Sequence, residues 1–375
     1  MTRRALMLLV FVCYGPSARA SADIRIGVLG LFHPRRLIVR SADERDIALQ
    51  GERDTCVLRG REPAHVQVTD GSMRASCGNR TLGGRVLRIT SGIGGAANIE
   101  LTVPDKLART FRGRLDITAD RGELAAVVFM DLETAVASVV AAEQLPGTPI
   151  EALEAQAVAA RSYFVAAAGR HRGFDFCDTT HCQFLREPPG PDQAPFRAAG
   201  ETSGLVLTFH GAPMAAFYSA SCGGRTRSLG EAGLPATDGY PYVSVECSYC
   251  ARHGQEWERR LTLDQDAERL AAERSEGARL AVGRRNGWSV VPGNTFDVSR
   301  EERTLVLHGR GAGHGIGLCQ AGAAAMAKER RATFSAILAH YYPGAALEER
   351  LSPLDLATVL TGLVRPAADL PRARH

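Results

Sequence analysis

The residues able to do chemistry lie between positions 142 and 322 of the 375-residue chain. Glu143 sits in Ala142-Glu143-Gln144-Leu145-Pro146, where a run of small apolar residues gives way to a proline-containing break. A carboxyl group at such a junction can face a recess instead of bulk water. Burial raises its pKa, and a raised pKa lets it donate a proton near neutrality. A lone Glu is far more often a solvated surface group, so the residue type alone marks a candidate and no more. Glu151 and Glu154 read instead as charges in the first turn of a helix, where the helix dipole favours them.

Three further groups accompany it. His171, Cys177, His181 and Cys182 put two imidazoles and two thiols within twelve residues. That is a tetrahedral N2S2 set suited to zinc, in a spacing that is not that of a zinc finger. A Cys177–Cys182 disulfide with two incidental histidines satisfies the same spacing. If metal binds, four protein ligands leave no open position for water, so the site is structural. The second group is His308-Gly-Arg-Gly-Ala-Gly-His314-Gly-Ile-Gly-Leu-Cys319-Gln320-Ala-Gly322, whose glycines let the backbone approach a ligand closely. His314 is the bulky polar side chain in its middle. The loop has no Gly-Lys-Ser/Thr ending, so a phosphate cradle is not indicated, and a tight structural turn accounts for it equally. The third is Phe217-Tyr218-Ser219-Ala-Ser221-Cys222-Gly-Gly-Arg-Thr226. It lacks the Gly-x-Ser-x-Gly of a nucleophile elbow, so hydrogen bonding to a polar ligand is the better use of its hydroxyls.

The elements that must hold these groups fall into two textures. From Ile24 to about Phe129 β-branched residues alternate or cluster between Gly, Asp and Asn turns, predicting strands at 24–29, 36–39, 65–68, 85–89, 98–103 and 124–129. After Asp131 the pattern turns helical. A short helix is predicted over 132–142 and a strong one over 151–170, where Leu153, Ala157, Ala160, Phe164 and Ala168 recur at three- and four-residue steps. Strands are predicted at 205–209, 214–218, 242–245 and 304–308, and helices at 321–328 and 334–342. The expected fold class is α+β: a signal peptide over 1–22, a β-rich module over 23–129, a mixed α+β domain with a cleft over 130–347, and a Pro/Arg/Ala-rich tail over 348–375.

The N-terminus carries the signature of export. Arg3 and Arg4 precede the apolar run Ala5 to Tyr14, and the small residues Ala18, Ala20 and Ala22 follow. That run is too short to span a bilayer, which takes about 20 residues, so the mature chain is expected to work in the periplasm or cell envelope with no transmembrane span. A net charge of +4 is compatible with an anionic polymer but does not identify one, and no block of like charge points to nucleic acid. Of nine cysteines, Cys13 falls in the leader. In an oxidising compartment Cys56 and Cys77 are the simplest disulfide to propose. Cys222 is expected to pair with Cys247, Cys250 or Cys319, and Cys247-x2-Cys250 lacks the surroundings of a thioredoxin-like redox motif.

Taken in order, the pieces resemble the SpoIID/LytB family. The resemblance rests on Ala142-Glu-Gln-Leu-Pro146, Glu151-Ala-Leu-Glu-Ala-Gln-Ala-Val-Ala-Ala-Arg-Ser-Tyr163, Phe176-Cys-Asp-Thr-Thr-His-Cys-Gln-Phe184, the Phe217–Thr226 segment, Gly311-Ala-Gly-His-Gly-Ile-Gly-Leu-Cys-Gln-Ala-Gly322 and His340-Tyr-Tyr-Pro-Gly344. It implies a lytic transglycosylase acting on peptidoglycan glycan strands stripped of stem peptides. Glu143 would be its acid–base residue, although Gln144-Leu145 separate it from Pro146 where the family has a Glu-Met-Pro-like motif. The resemblance also implies structural zinc on His171, Cys177, His181 and Cys182, and a sugar-binding role for Ser219, His314 and Gln320. A second implied class is a non-catalytic glycan-binding protein that enhances a cell-wall amidase.

Overall fold

The protein is described here by a computed structural model covering residues 23–236 and 239–349. The expected signal peptide and nearly all of the C-terminal tail lie outside the described residues. The architecture is α+β.

The N-terminal part is a barrel-like sheet of β1 (Ile24–Val28), β2 (Arg36–Ser41), β3 (Ile47–Gln50), β4 (Thr55–Leu58), β5 (Ala64–Thr69), β6 (Ser72–Cys77), β7 (Arg80–Gly83), β8 (Val86–Ser91), β9 (Ala97–Val103), β10 (Leu107–Asp120) and β11 (Glu123–Met130). A twelfth short strand, β12 (Phe176–Cys177), returns from the helical part of the chain and pairs in parallel with β1. The main path runs β12-β1-β11-β10-β9-β2-β5-β6-β7, with β3, β4 and β8 branching from β10. Strict alternation explains the inward face: Ala64, Val66 and Val68 on β5 are buried while His65, Gln67 and Thr69 are exposed. The six strands expected from sequence are present. The strands not foreseen carry weaker signals, as in β6, where buried Met73, Ala75 and Cys77 alternate with Ser72, Arg74 and Ser76. The Cys56–Cys77 disulfide forms as expected and staples β4 to β6. Closing a loop of this length restricts the unfolded chain by about 3 kcal/mol.

Next come α1 (Leu132–Glu143) and α2 (Ile150–Ala166). Asp131 caps α1 by accepting from the Thr134 N–H at 3.0 Å. The apolar residues of α1, among them Leu132, Val136, Val139 and Val140, join the interior of the sheet in one continuous core. α2 is buried on every side. Leu153, Ala157, Ala160 and Phe164, the stripe expected from sequence, face that first core, while Ala152, Ala155, Val158 and Ala159 face a second. A helix with no wet face is a central strut. Its Arg161 is fully buried, bonded to Glu133 at 2.9 and 2.6 Å and to the carbonyls of Ala199 and Leu205. α2 ends at Ala166, four residues before the expected Arg170, and a turn-rich stretch follows.

The remaining chain adds α3 (Ala194–Glu201), β13 (Leu205–Phe209), β14 (Ala212–Pro213), β15 (Tyr218–Ser219), α4 (Ser248–His253), β16 (Glu256–Thr262), α5 (Gln265–Glu273), α6 (Glu276–Asn286), β17 (Thr295–Glu301), β18 (Thr304–Arg310), β19 (Leu318–Cys319), α7 (Gln320–Arg330), α8 (Phe334–Tyr341) and β20 (Ala346–Glu349). The antiparallel sheet β16-β18-β17 with α5 and α6 has its own small core around Trp257, Leu270, Val282 and Leu305. The expected strand at 242–245 is not formed. Tyr242 there turns its hydroxyl to the Phe217 N–H and the Ala215 carbonyl instead, so the segment is held by its side chain and not by a ladder.

Candidate functional site

Glu143 is the last residue of α1, and Gln144 is already extended, so the helix stops with the carboxyl group at its edge. A carboxylate here meets the negative end of the helix dipole, and the last turn holds no basic residue to offset it. The group is half-buried. Burial raises its pKa from 4.5 to about 6, against the opposing pull of the Phe184 N–H, which donates to Oε1 at 3.1 Å. The result is a carboxyl group that exchanges its proton close to neutral pH, held by a single backbone donor.

Three segments converge on this helix end. The first is Gln183-Phe184. Besides the Phe184 N–H on Glu143, Gln183 is buried, donates from Nε2 to the Ala160 carbonyl of α2 at 3.2 Å, and accepts from the Tyr218 hydroxyl at 2.8 Å. The second is β15, which carries Tyr218 and Ser219. Burial, reinforced by the neighbouring Glu143 charge, pushes the Tyr218 phenol well above its usual range, so it stays protonated and a donor. Ser219 is 6% exposed and its hydroxyl has no hydrogen-bond partner within the protein. Leaving such a group unmet costs on the order of 1–3 kcal/mol.

The third segment is the glycine loop. Gly311, Gly313, Gly315 and Gly317 all have positive φ, so every second residue adopts the left-handed conformation. At Gly317 any side chain is also excluded by contact, since a Cβ would sit 1.9 Å from the Phe217 carbonyl oxygen. The loop thereby lies against the 217–223 segment and delivers β19, which pairs in parallel with β15 as Tyr218 with Leu318 and Ser219 with Cys319. Gln320 follows directly and donates from Nε2 to the main-chain carbonyl of Glu143 at 3.0 Å. It ties α7 to the end of α1. His314 accepts the Ile316 N–H on Nδ1 at 3.0 Å. Burial lowers its pKa, so it is a neutral ring that helps to fix the loop.

The four residues 171, 177, 181 and 182 come together as well. His171 Nε2 lies 3.2 Å from Cys182 Sγ, and His181 Nδ1 lies 3.7 Å from the sulfurs of both Cys177 and Cys182. The four ligand atoms all fall within 4.8 Å of one another, and both cysteines are free thiols. Two nitrogens and two sulfurs at this separation fit one tetrahedral ion. Thr179 Oγ1, 3.2 Å from Cys177 Sγ, adds an outer hydroxyl. The cluster ends at Cys182, one residue before Gln183 and two before the Phe184 N–H that holds Glu143.

Sequence reasoning singled out Ser219 beside Tyr218 but overlooked Tyr218 and Gln183. The signal for both was their place inside quoted motifs, next to residues of more familiar chemistry. It also misread the later cysteines. Cys222, expected to pair with Cys247, Cys250 or Cys319, forms no disulfide with any of them: all four are buried thiols gathered within 4.8 Å. Among the described residues no helix is long and apolar enough to cross a membrane.

A protein-family model, SpoIID (stage II sporulation protein), matches residues 120–209, the stretch that contains Glu143 and all four residues of the His/Cys cluster. An uncharacterized protein of Brachyspira hyodysenteriae is 27% identical over 246 residues, covering 57% of this chain and 66% of that protein. The stage II sporulation protein D of Bacillus amyloliquefaciens is 27% identical over 259 residues, covering 58% of this chain and 74% of that protein. The chain thus spans about two thirds of the length of the first of these relatives. The family-model match takes in the Glu143 helix end and its His/Cys loop, and a stage II sporulation protein D aligns over a longer stretch, so this part of the chain is similar to the SpoIID family.

Proposed function

We propose that the protein acts in the cell wall after export, as a lytic transglycosylase that cleaves the bond between N-acetylmuramic acid and N-acetylglucosamine in glycan strands without stem peptides. The observation that carries this reading is the Glu143 carboxyl group: half-buried, held by one backbone donor, and with a pKa raised to about 6. One such group suffices when the substrate supplies the nucleophile. As acid, Glu143 gives its proton to the glycosidic oxygen as that bond breaks. As carboxylate, it takes the proton from the C6 hydroxyl of the muramic acid, whose oxygen attacks C1 and closes a 1,6-anhydro ring. Proton and bonds balance without water, so the second carboxyl group of an ordinary glycosidase is not needed.

The other residues support this role. The unpartnered hydroxyl of Ser219 is the group best suited to meet a sugar hydroxyl or acetamido group, and Gln320 would contribute beside it while bracing the Glu143 helix end. His314, with its Nδ1 taken up by the Ile316 N–H, would serve the site by holding the glycine loop in shape. His171, Cys177, His181 and Cys182 would hold a zinc ion in a closed, structural site. When bound, the ion would order the loop that leads to Gln183 and Phe184.

The test is incubation of the mature chain and its Glu143→Gln variant with amidase-stripped glycan strands, read by mass spectrometry. Anhydro-ended fragments from the parent alone are the expected result. Intact strands in both samples would refute the transglycosylase, and strands that still sediment with the protein would then point to a glycan-binding enhancer of an amidase.

A further inference from the structure

Cys222, Cys247, Cys250 and Cys319 lie far apart in sequence and in different elements. Cys222 follows β15, Cys247 caps α4, Cys250 lies within α4, and Cys319 ends β19 and caps α7. The chain nevertheless brings their four sulfurs within 4.8 Å of one another, and none is more than 3% exposed. Cys250 Sγ and Cys319 Sγ are 3.5 Å apart. A disulfide needs about 2.0 Å. A tetrahedron of thiolates around an ion at about 2.3 Å puts its sulfurs about 3.8 Å apart. The observed spacing is that of ligands around a common centre.

The surroundings are those of thiolates. The N–H groups of Cys222 and Gly322 donate to Cys319 Sγ at 3.3 and 3.4 Å. The Ser221 hydroxyl lies 3.4 Å from Cys250 Sγ, and the Tyr341 hydroxyl lies 3.5 Å from Cys247 Sγ. Outer donors of this kind orient sulfur ligands and spread their charge. Gly322 adds a steric argument: a Cβ there would fall 2.5 Å from Cys247 Sγ and 2.0 Å from the Tyr341 hydroxyl, so the space beside the sulfurs is kept open only by glycine. Four neighbouring free thiols would be oxidised in the exported compartment proposed above. Thiolates committed to an ion would not be.

We propose that Cys222, Cys247, Cys250 and Cys319 form a second metal centre, a closed structural site for one zinc ion. The Cys-x2-Cys pair supplies two ligands, as in known structural zinc sites, and the all-sulfur set has no place for water or substrate. The ion would pin α4, β15 and α7 together directly behind Ser219 and Gln320. This assignment does not depend on the catalytic reading.

The decisive protein is the mature chain carrying Cys177→Ser and His181→Ala, which disables the first cluster and leaves the four later cysteines intact. Purified without chelators, it should retain one zinc per chain by elemental mass spectrometry. Its cobalt-exchanged form should show the intense thiolate-to-cobalt charge-transfer absorption of a four-sulfur site. Adding Cys250→Ser should remove that zinc. A metal-free Cys177→Ser/His181→Ala protein would overturn the proposal. So would a non-reducing peptide map of the parent chain in which any two of the four cysteines are joined. Iron in place of zinc would overturn the assignment of the ion.

Discussion

Replacing Glu143 by Gln separates an acid–base residue from a structural one, because the two roles predict opposite signs for stability. Each unit of pKa is worth 1.36 kcal/mol, so a rise from 4.5 unfolded to about 6 folded disfavours the folded, ionised state by about 2 kcal/mol. The folded state holds this proton more tightly than the unfolded one. Stability from this group is therefore fully present below pH 4.5, is lost as pH rises through about 6, and stays lost above it. Glutamine removes the charge and keeps the shape. The opposing pull of the Phe184 N–H is already contained in the value of about 6, and solvent screening of a half-buried group trims the gain. The variant is thus expected to be about 1 kcal/mol more stable than the parent at pH 8 and equal to it at pH 4.5, while losing glycan cleavage by a factor on the order of 100 or more. Urea midpoints at the two pH values, with the slope unchanged, measure the difference. A variant less stable than the parent at pH 8, or an offset independent of pH, would refute the reasoning.

Glu154 is buried and its pKa is raised to about 7 by desolvation and by sharing hydrogen bonds with Glu201 and Glu151. Glu154→Gln is expected to stabilise the protein by about 1–3 kcal/mol above pH 7 and not below pH 4.5, seen as a thermal midpoint that falls less with rising pH than the parent's. Arg161→Met leaves Glu133 without its cation and removes the donors that Arg161 offers to the Ala199 and Leu205 carbonyls, a loss of about 3–5 kcal/mol in chemical denaturation. Cys56→Ser with Cys77→Ser should cost about 3 kcal/mol by the same measurement, with the far-ultraviolet spectrum preserved.

The parts of the fold legible in sequence are those where one side chain in two, or one in three or four, has to be apolar. That covers β5, β9, β11 and the inner stripe of α2. It fails for β16, β17, α5 and α6, whose exposed faces are dense in Arg, Glu and Asp and whose shared core is small. The candidate site was legible where its members are close in the chain, as with 171–182, because spacing then constrains geometry. Tyr218 bonding Gln183, Gln320 bonding the Glu143 carbonyl, and four cysteines meeting across ninety-seven residues depend on long-range packing that no local pattern encodes.

The continuous core beneath α1 bears on where this protein could be divided. The family match begins at residue 120, which is the last residue of β10 and lies between two strands that pair with each other. A chain cut at that line would keep Glu143 and its His/Cys loop. It would strip β1 to β10 away and set Val128, Met130, Leu132, Val136 and Val140 against water. The segment matched by the family model is therefore smaller than the unit that buries its apolar side chains. The inner face of the β-rich module is thus the floor beneath the helix that ends in Glu143, a role that its outer face does not share.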